Sequence, residues 1–155
     1  MANILLVDDE EDILETLQDV FKKWGYNTLT AKDAVEGLKI YTENPIDFVV
    51  SDIKMPEMDG LEFLQKLQEI DKNVMVMFLT GYPSLDSAIS ALRAGAYDYL
   101  VKPVNLDELK LRLERGLERI EHMKSIPLLK GLNWALLVSI PLWLILGIIL
   151  AKLLK

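Results

Sequence analysis

Five short apolar runs alternate along the chain with segments whose apolar residues recur every three to four positions. Asn3–Val7, Tyr26–Thr30, Ile46–Ser51, Val74–Leu79 and Tyr97–Val101 read as strands. Residues 10–24, 33–43, 60–71, 84–94 and 105–123 carry the helical period. In the first of these, Ile13, Leu14, Leu17, Val20, Phe21 and Trp24 share a face, and Gly25 follows as a stop signal. Asn105-Leu106-Asp107-Glu108 opens the last with an N-cap residue and a glutamate three positions on. Three central strands are almost unbroken apolar runs, the pattern of strands covered by helices on both faces. Alternating strand and helix units make a parallel sheet with right-handed crossovers. The predicted fold is α/β, a doubly wound (βα)5 domain over residues 1–122.

The pattern changes after this domain. From Asn133 to Ala151 there are 19 residues without a charge. As a helix they would extend about 28 Å, close to the roughly 30 Å hydrocarbon core of a bilayer. The segment is apolar all round, which a small domain has no room to bury. Lys130 precedes it, and Lys152 and Lys155 follow, placed to reach headgroups. Pro141 is tolerated in a membrane-spanning helix. The expectation is a linker at 123–132, a C-terminal hydrophobic transmembrane helix at 133–151 and a basic tail at 152–155. A buried or dimer-forming helix is the alternative, with a homodimer as its consequence.

Charge divides the chain in the same place. All 24 acidic and thirteen of the 17 basic residues lie at or before His122, so that part carries −11 and the remainder +4. An acidic body speaks against nucleic acid as a partner, because phosphate contacts need Lys and Arg. The absence of cysteine removes disulfides and thiolate chemistry. No signal peptide is expected, since the sequence opens directly on a strand-like run.

Chemistry collects at the strand ends. The first strand runs into Asp8-Asp9, the third into Asp52, the fourth into Thr80 and the fifth into Lys102. In an open parallel sheet, ligands sit outside the carboxyl ends of the strands. If these strands are neighbours, three carboxylates, a hydroxyl and an ammonium converge. Three anions together call for a cation, and a hard all-oxygen site open to water suits Mg²⁺. Such a site reads as phosphoryl chemistry on a carboxylate.

These motifs resemble the receiver domain of two-component response regulators, from about Ala2 to His122. Val7-Asp8-Asp9-Glu10 is similar to the family's acidic pair after the first strand. Ser51-Asp52-Ile53-Lys54-Met55-Pro56-Glu57-Met58-Asp59-Gly60 is similar to the segment around its phosphorylated aspartate. Leu79-Thr80-Gly81 matches its switch threonine, and Asp98-Tyr99-Leu100-Val101-Lys102-Pro103 its switch aromatic and lysine. The resemblance implies a flavodoxin-like strand order 2-1-3-4-5 and names roles. Asp52 would be the phosphoacceptor, with Thr80 and Lys102 holding phosphoryl oxygens. Asp9, Asp52 and the Lys54 backbone carbonyl would ligate Mg²⁺, with Asp8 acting mainly through metal-bound water. Thr80 and Tyr99 would form the switch.

The same resemblance implies a histidine kinase or phosphotransfer protein as donor and a downstream protein target that the sequence does not name. His122, the sole histidine, is not expected to be a phosphoryl donor. Lys54, Tyr82 and Glu57 depart from the commoner family pattern. No ATPase, winged-helix or cyclase pattern follows the fifth helix, so the tail is the expected output element. The expected product is a membrane-anchored receiver facing the cytoplasm, a phosphoacceptor and not a turnover enzyme. Its rivals are a Mg²⁺-dependent aspartyl-nucleophile phosphatase and a phosphorylation-independent scaffold. Against the phosphatase, Asp8-Asp9-Glu10 stands where a nucleophile and a second aspartate two residues on would be needed.

Overall fold

The structure is a computed structural model of the chain, and it describes residues 1–81 and 84–124. The elements are β1 (Asn3–Val7), α1 (Glu11–Lys23), β2 (Asn27–Ala31), α2 (Ala34–Glu43), β3 (Phe48–Ser51), α3 (Gly60–Ile70), β4 (Val76–Thr80), α4 (Leu85–Arg93) and β5 (Asp98–Val101). Residues 106–124 are helical and are called α5. The five strands form one parallel sheet in the order β2-β1-β3-β4-β5. The chain divides into two compact units, residues 1–117 and 118–155. The first carries the whole sheet, and all described residues of the second are helical.

The strand boundaries shift from the expected ones for local reasons. Tyr26 is not in β2, because Gly25 adopts φ +88° and the Tyr26 amide donates back to the Phe21 carbonyl at 3.1 Å. Only glycine takes that left-handed turn without strain. Ile46 and Asp47 stay outside β3. Asp47 instead accepts from the Asn3 amide at 3.0 Å and donates its own N–H to the Asn3 carbonyl at 2.9 Å. β4 begins two residues late and takes in Thr80.

Helix caps follow the sequence. Asp33 accepts from the Glu36 amide at 2.7 Å, and Asp59 from Leu61 and Glu62 at 2.9 Å. Asn105 caps α5 through the amides of Asp107 and Glu108, at 2.9 and 3.1 Å. Glu108 turns toward Arg112 at 2.6 Å, and Arg112 also grips both Asp98 oxygens at 2.7 Å, fastening α5 to β5.

Strand alternation sends side chains to two cores. Leu5, Val7, Val49, Val76 and Phe78 pack with Phe63, Leu64 and Leu67 of α3 and Ala91 of α4. On the other face lie Ile4, Leu6, Phe48, Val50, Met77 and Leu79, all buried, as are Leu14, Leu17 and Phe21 of α1 and Leu109 and Leu113 of α5. With β1 in the middle of the order 2-1-3, the chain leaves β1 and β3 toward opposite faces. A crevice opens between those two loops.

Gly60 sets how closely α3 approaches that crevice. A Cβ there would lie 2.6 Å from the Asp52 carbonyl oxygen and 2.8 Å from the Ile53 Cα. Both are backbone atoms, so neither can swing aside. Gly60→Ala is expected to cost about 2–3 kcal/mol, the range of overpacking, read as a lower urea midpoint at unchanged slope.

Among the described residues, no helix is long and apolar enough to cross a membrane. The hydrophobic helix expected at 133–151, the tail at 152–155, residues 125–132 of the linker and Tyr82 lie outside the described residues.

Candidate functional site

β1 and β3 are paired with Val7 opposite Ser51, so the loops after them start level. Asp52 follows, and its amide donates to the Val7 carbonyl at 2.9 Å, extending the ladder by one bond. That bond fixes the Asp52 backbone before its side chain is considered. Asp52 is 6 % exposed and Asp8 2 %. Carboxylates are rarely this buried without partners, and the partners divide between the two Asp52 oxygens. Oδ1 accepts from the amides of Ile53 and Lys54, at 2.5 and 3.0 Å. Oδ2 accepts from the Lys102 ammonium at 2.9 Å.

Lys102 arrives from β5, two strands away. Thr80 and Val101 are register partners, and the Lys102 amide donates to the Thr80 carbonyl at 2.8 Å. From there its side chain reaches over the crevice, and the Lys102-Pro103 peptide bond that follows is cis. Nζ lies 2.6 Å from Asp8, 2.9 Å from Asp52 and 3.9 Å from Glu10. The cation that three carboxylates require is therefore an ammonium in this structure. Burial by itself would lower the Lys102 pKa, but the hydrogen bonds and charges of Asp8 and Asp52 outweigh it and hold the group above its ordinary value.

Burial also raises Asp8 above the usual carboxylate range, with the Asp52 charge adding to the effect. The Lys102 bond and charge and the Glu10 amide offset this only in part. Both groups are thus held above their ordinary values, Asp8 because burial outweighs the ammonium and Lys102 because the two carboxylates outweigh burial.

The sequence-predicted residues are placed unevenly. Asp8, Asp52 and Lys102 come together as expected, and Thr80 is buried at the end of β4. Asp9 is exposed and is not among the meeting carboxylates; Glu10 is. One oxygen each from Asp8, Glu10 and Asp52 lies within 4.8 Å of the others. The reason is local: the Glu10 amide donates to Asp8 Oδ1 at 3.0 Å, a turn that brings Glu10 back toward Asp8 as the N-cap residue of α1. An aspartate two residues before the N-cap position was the available signal. Lys54 is exposed, with its amide engaged on Asp52. Tyr99 is half-buried on β5 beside Phe78, its hydroxyl 3.2 Å from Ser87 of α4. His122 is exposed.

Glu57, in the loop between Asp52 and α3, sits at φ +65°. A side chain in that region costs about 1–2 kcal/mol, of which the extra freedom of an unfolded glycine would take back roughly 0.5–1. Glu57→Gly is therefore expected to raise stability by up to about 1 kcal/mol, seen as a higher urea midpoint.

Three carboxylates around an ammonium at the strand ends can bind a divalent ion and present one aspartate as a nucleophile. Several known proteins are similar to this chain. The family model for the response regulator receiver domain matches residues 4–114. The transcriptional regulatory protein ZraR of Klebsiella oxytoca is 38 % identical over 116 residues, 75 % of this chain and 26 % of that protein. The chain thus spans about a quarter of the length of the curated relatives it matches. A solved receiver domain protein from Clostridium thermocellum is 38 % identical with a TM-score of 0.76, covering 79 % of this chain and 99 % of that one. The response regulator TrrA of Thermotoga maritima, solved in complex with Mg²⁺-BeF, is 36 % identical with a TM-score of 0.69, covering 75 % and 99 %. The chain belongs to the response regulator receiver domain family, as part of two-component signalling.

Proposed function

We propose that the chain is a phosphoacceptor of a two-component relay, taking a phosphoryl group on Asp52. The carrying observation is the division of labour at that carboxylate. Two backbone amides immobilise Oδ1, while among the described residues Oδ2 is held only by Lys102, whose ammonium sits on a long side chain. Oδ2 is then the oxygen free to form the new O–P bond as the P–N bond to a donor histidine breaks, releasing the imidazole. Lys102 follows the charge onto a phosphoryl oxygen, and Thr80 at the adjoining strand end offers its hydroxyl to another.

The donor set fits a hard divalent ion: three carboxylate oxygens within 4.8 Å, with Glu10 on the open side. When bound, Mg²⁺ would supply charge for the phosphoryl oxygens. The Mg²⁺-BeF complex of TrrA supports this choice of metal. Asp8, Asp52 and Glu10 are placed to hold it, and the resemblance adds Asp9 and the Lys54 carbonyl from the same two loops. Asp9→Asn is expected to weaken magnesium binding about tenfold, read by equilibrium titration. Glu10→Gln should weaken it less, because the resemblance gives the direct ligand role to Asp9 and not to Glu10.

A histidine kinase or phosphotransfer protein is the proposed donor. An apolar cleft of about 250 Å³ opens beside the site between α1 and the segment after β5, lined by Ile13, Leu17, Pro103, Val104 and Leu106 with Lys102 at its edge. It offers a docking surface within reach of Asp52.

The uncharged segment 133–151 is proposed to anchor the receiver to the cell membrane, facing the cytoplasm where phosphodonors are made. Its support is the hydropathy of the sequence and the lysines on both sides. Full-length chain should stay in the membrane pellet through an alkaline carbonate wash, and recovery in the wash would overturn the anchor.

The phosphoacceptor reading is tested with acetyl phosphate. Intact mass should show one added phosphoryl group per chain with Mg²⁺ and none with EDTA. Continuous release of inorganic phosphate without a modified chain would point to an enzyme instead.

A further inference from the structure

Tyr99 and the start of α4 are joined by one oxygen atom. Ser84 is the N-cap of α4, and its side chain accepts from the Ser87 amide at 3.0 Å. Ser87 answers: its Oγ accepts from the Ser84 amide at 3.3 Å and donates to the Ser84 carbonyl at 2.9 Å. The Tyr99 hydroxyl stands 3.2 Å from the same Ser87 Oγ. A serine hydroxyl has one proton. The Ser84 hydroxyl also donates to Ser87 Oγ at 2.8 Å, so that oxygen is shared between the helix cap and the Tyr99 hydroxyl. The ring is half-buried and packed against the core that includes Phe78 and Ala91, so its hydroxyl cannot leave Ser87 without the ring itself turning.

We propose that Ser87 is a positioning residue that latches Tyr99 to the N-terminal cap of α4, so that an inward turn of the ring releases the first turn of that helix. The inference rests on the reading of Tyr99 as part of the phosphorylation switch and adds the atom through which it acts. Helix ends open locally and cheaply, and a reciprocal cap holds such an end closed. A hydroxyl shared between cap and ring converts a side-chain rotation on β5 into a change at the start of α4. The neighbouring surface there carries Leu85, Ile89 and Leu92, all exposed, so the released turn belongs to an apolar face.

The test uses the full-length chain, with amide exchange of residues 86–90 as its readout. Tyr99→Phe removes the latch and leaves both serines in place, so it survives any folding defect of Ser87→Ala. Without phosphodonor, Tyr99→Phe should speed exchange there about threefold, the effect of one modest hydrogen bond. The Tyr99→Phe, Ser87→Ala double variant should exchange no faster than Ser87→Ala alone. With Mg²⁺, both single variants should reach half-saturation at about threefold lower beryllofluoride than the parent, since no latch has to open. A loss of helix cap alone would not move that midpoint. Additive effects on exchange, or a Tyr99→Phe variant identical to the parent in both readouts, would overturn the latch. If beryllofluoride changes α4 in no variant while the two substitutions remain non-additive, the latch stands and the switch reading fails.

Discussion

Lys102→Met lowers the stability of the folded chain by about 3 kcal/mol at neutral pH, the low end of what breaking a buried ion pair costs. The side chain is 15 % exposed and its partners Asp8 and Asp52 only 3 % and 7 %, so solvent does little to soften the loss. Two aspartates are left facing each other without their shared cation. Acid changes the comparison. Near pH 4, around the ordinary carboxylate range, Asp8 is increasingly neutral because burial already raises its pKa, and removing Lys102 raises it further. The deficit of the variant should therefore shrink as pH falls and widen as pH rises through the acid range.

The parent chain has a second limit at the alkaline end. Lys102 titrates above its ordinary 10.5 in the folded state, so its contribution is complete below that value and is lost as pH rises through the folded pKa. Urea melts across the range check both limbs. Equal deficits for Lys102→Met at acid and neutral pH would mean that the ammonium does not balance the carboxylates.

Asp52→Asn has the opposite profile, with a loss of chemistry and little loss of fold. Phosphoryl uptake should fall by at least about 100-fold, because an amide oxygen is no nucleophile toward phosphorus under these conditions. The folded state should stay within about 1 kcal/mol of the parent. Asparagine keeps an oxygen for the Ile53 and Lys54 amides, and the repulsion between positions 8 and 52 disappears. Uptake measured by intact mass, beside a urea melt of the same sample, separates the two quantities. A variant that fails to take up phosphate because it is unfolded would not support the assignment.

Much of the fold and of the site is legible in the sequence. Strand ends bearing Asp52, Thr80 and Lys102 could be read because a buried parallel strand is an unbroken apolar run, and the polar residue that ends it is conspicuous. The strand order 2-1-3-4-5 was implied by the resemblance to receiver domains rather than by the apolar pattern. Glu10 was missed because its place depends on a turn closed by Asp8 Oδ1, which the aspartate before the helix hints at but hydrophobic periodicity does not carry. The convergence of Lys102 with the carboxylates was read from the strand ends, but not that its ammonium bonds Asp8 directly. Nothing in the spacing of Asp8 and Lys102 along the sequence shows that they meet at 2.6 Å. Glu108 illustrates the limit at a cap: the motif located the helix start, yet the glutamate found a stronger partner in Arg112 one turn on. Ser87 and Tyr99, 12 residues apart on different elements, are the same kind of case.

The most direct test fixes the position of the phosphoryl group chemically. The full-length chain is loaded with acetyl phosphate and Mg²⁺, and the acyl phosphate is trapped by borohydride reduction, which converts the modified aspartate to homoserine. Peptide mapping should find homoserine at position 52 alone. Reduction at Asp8 or Asp9, or an unreduced chain carrying phosphate on His122, would contradict the account.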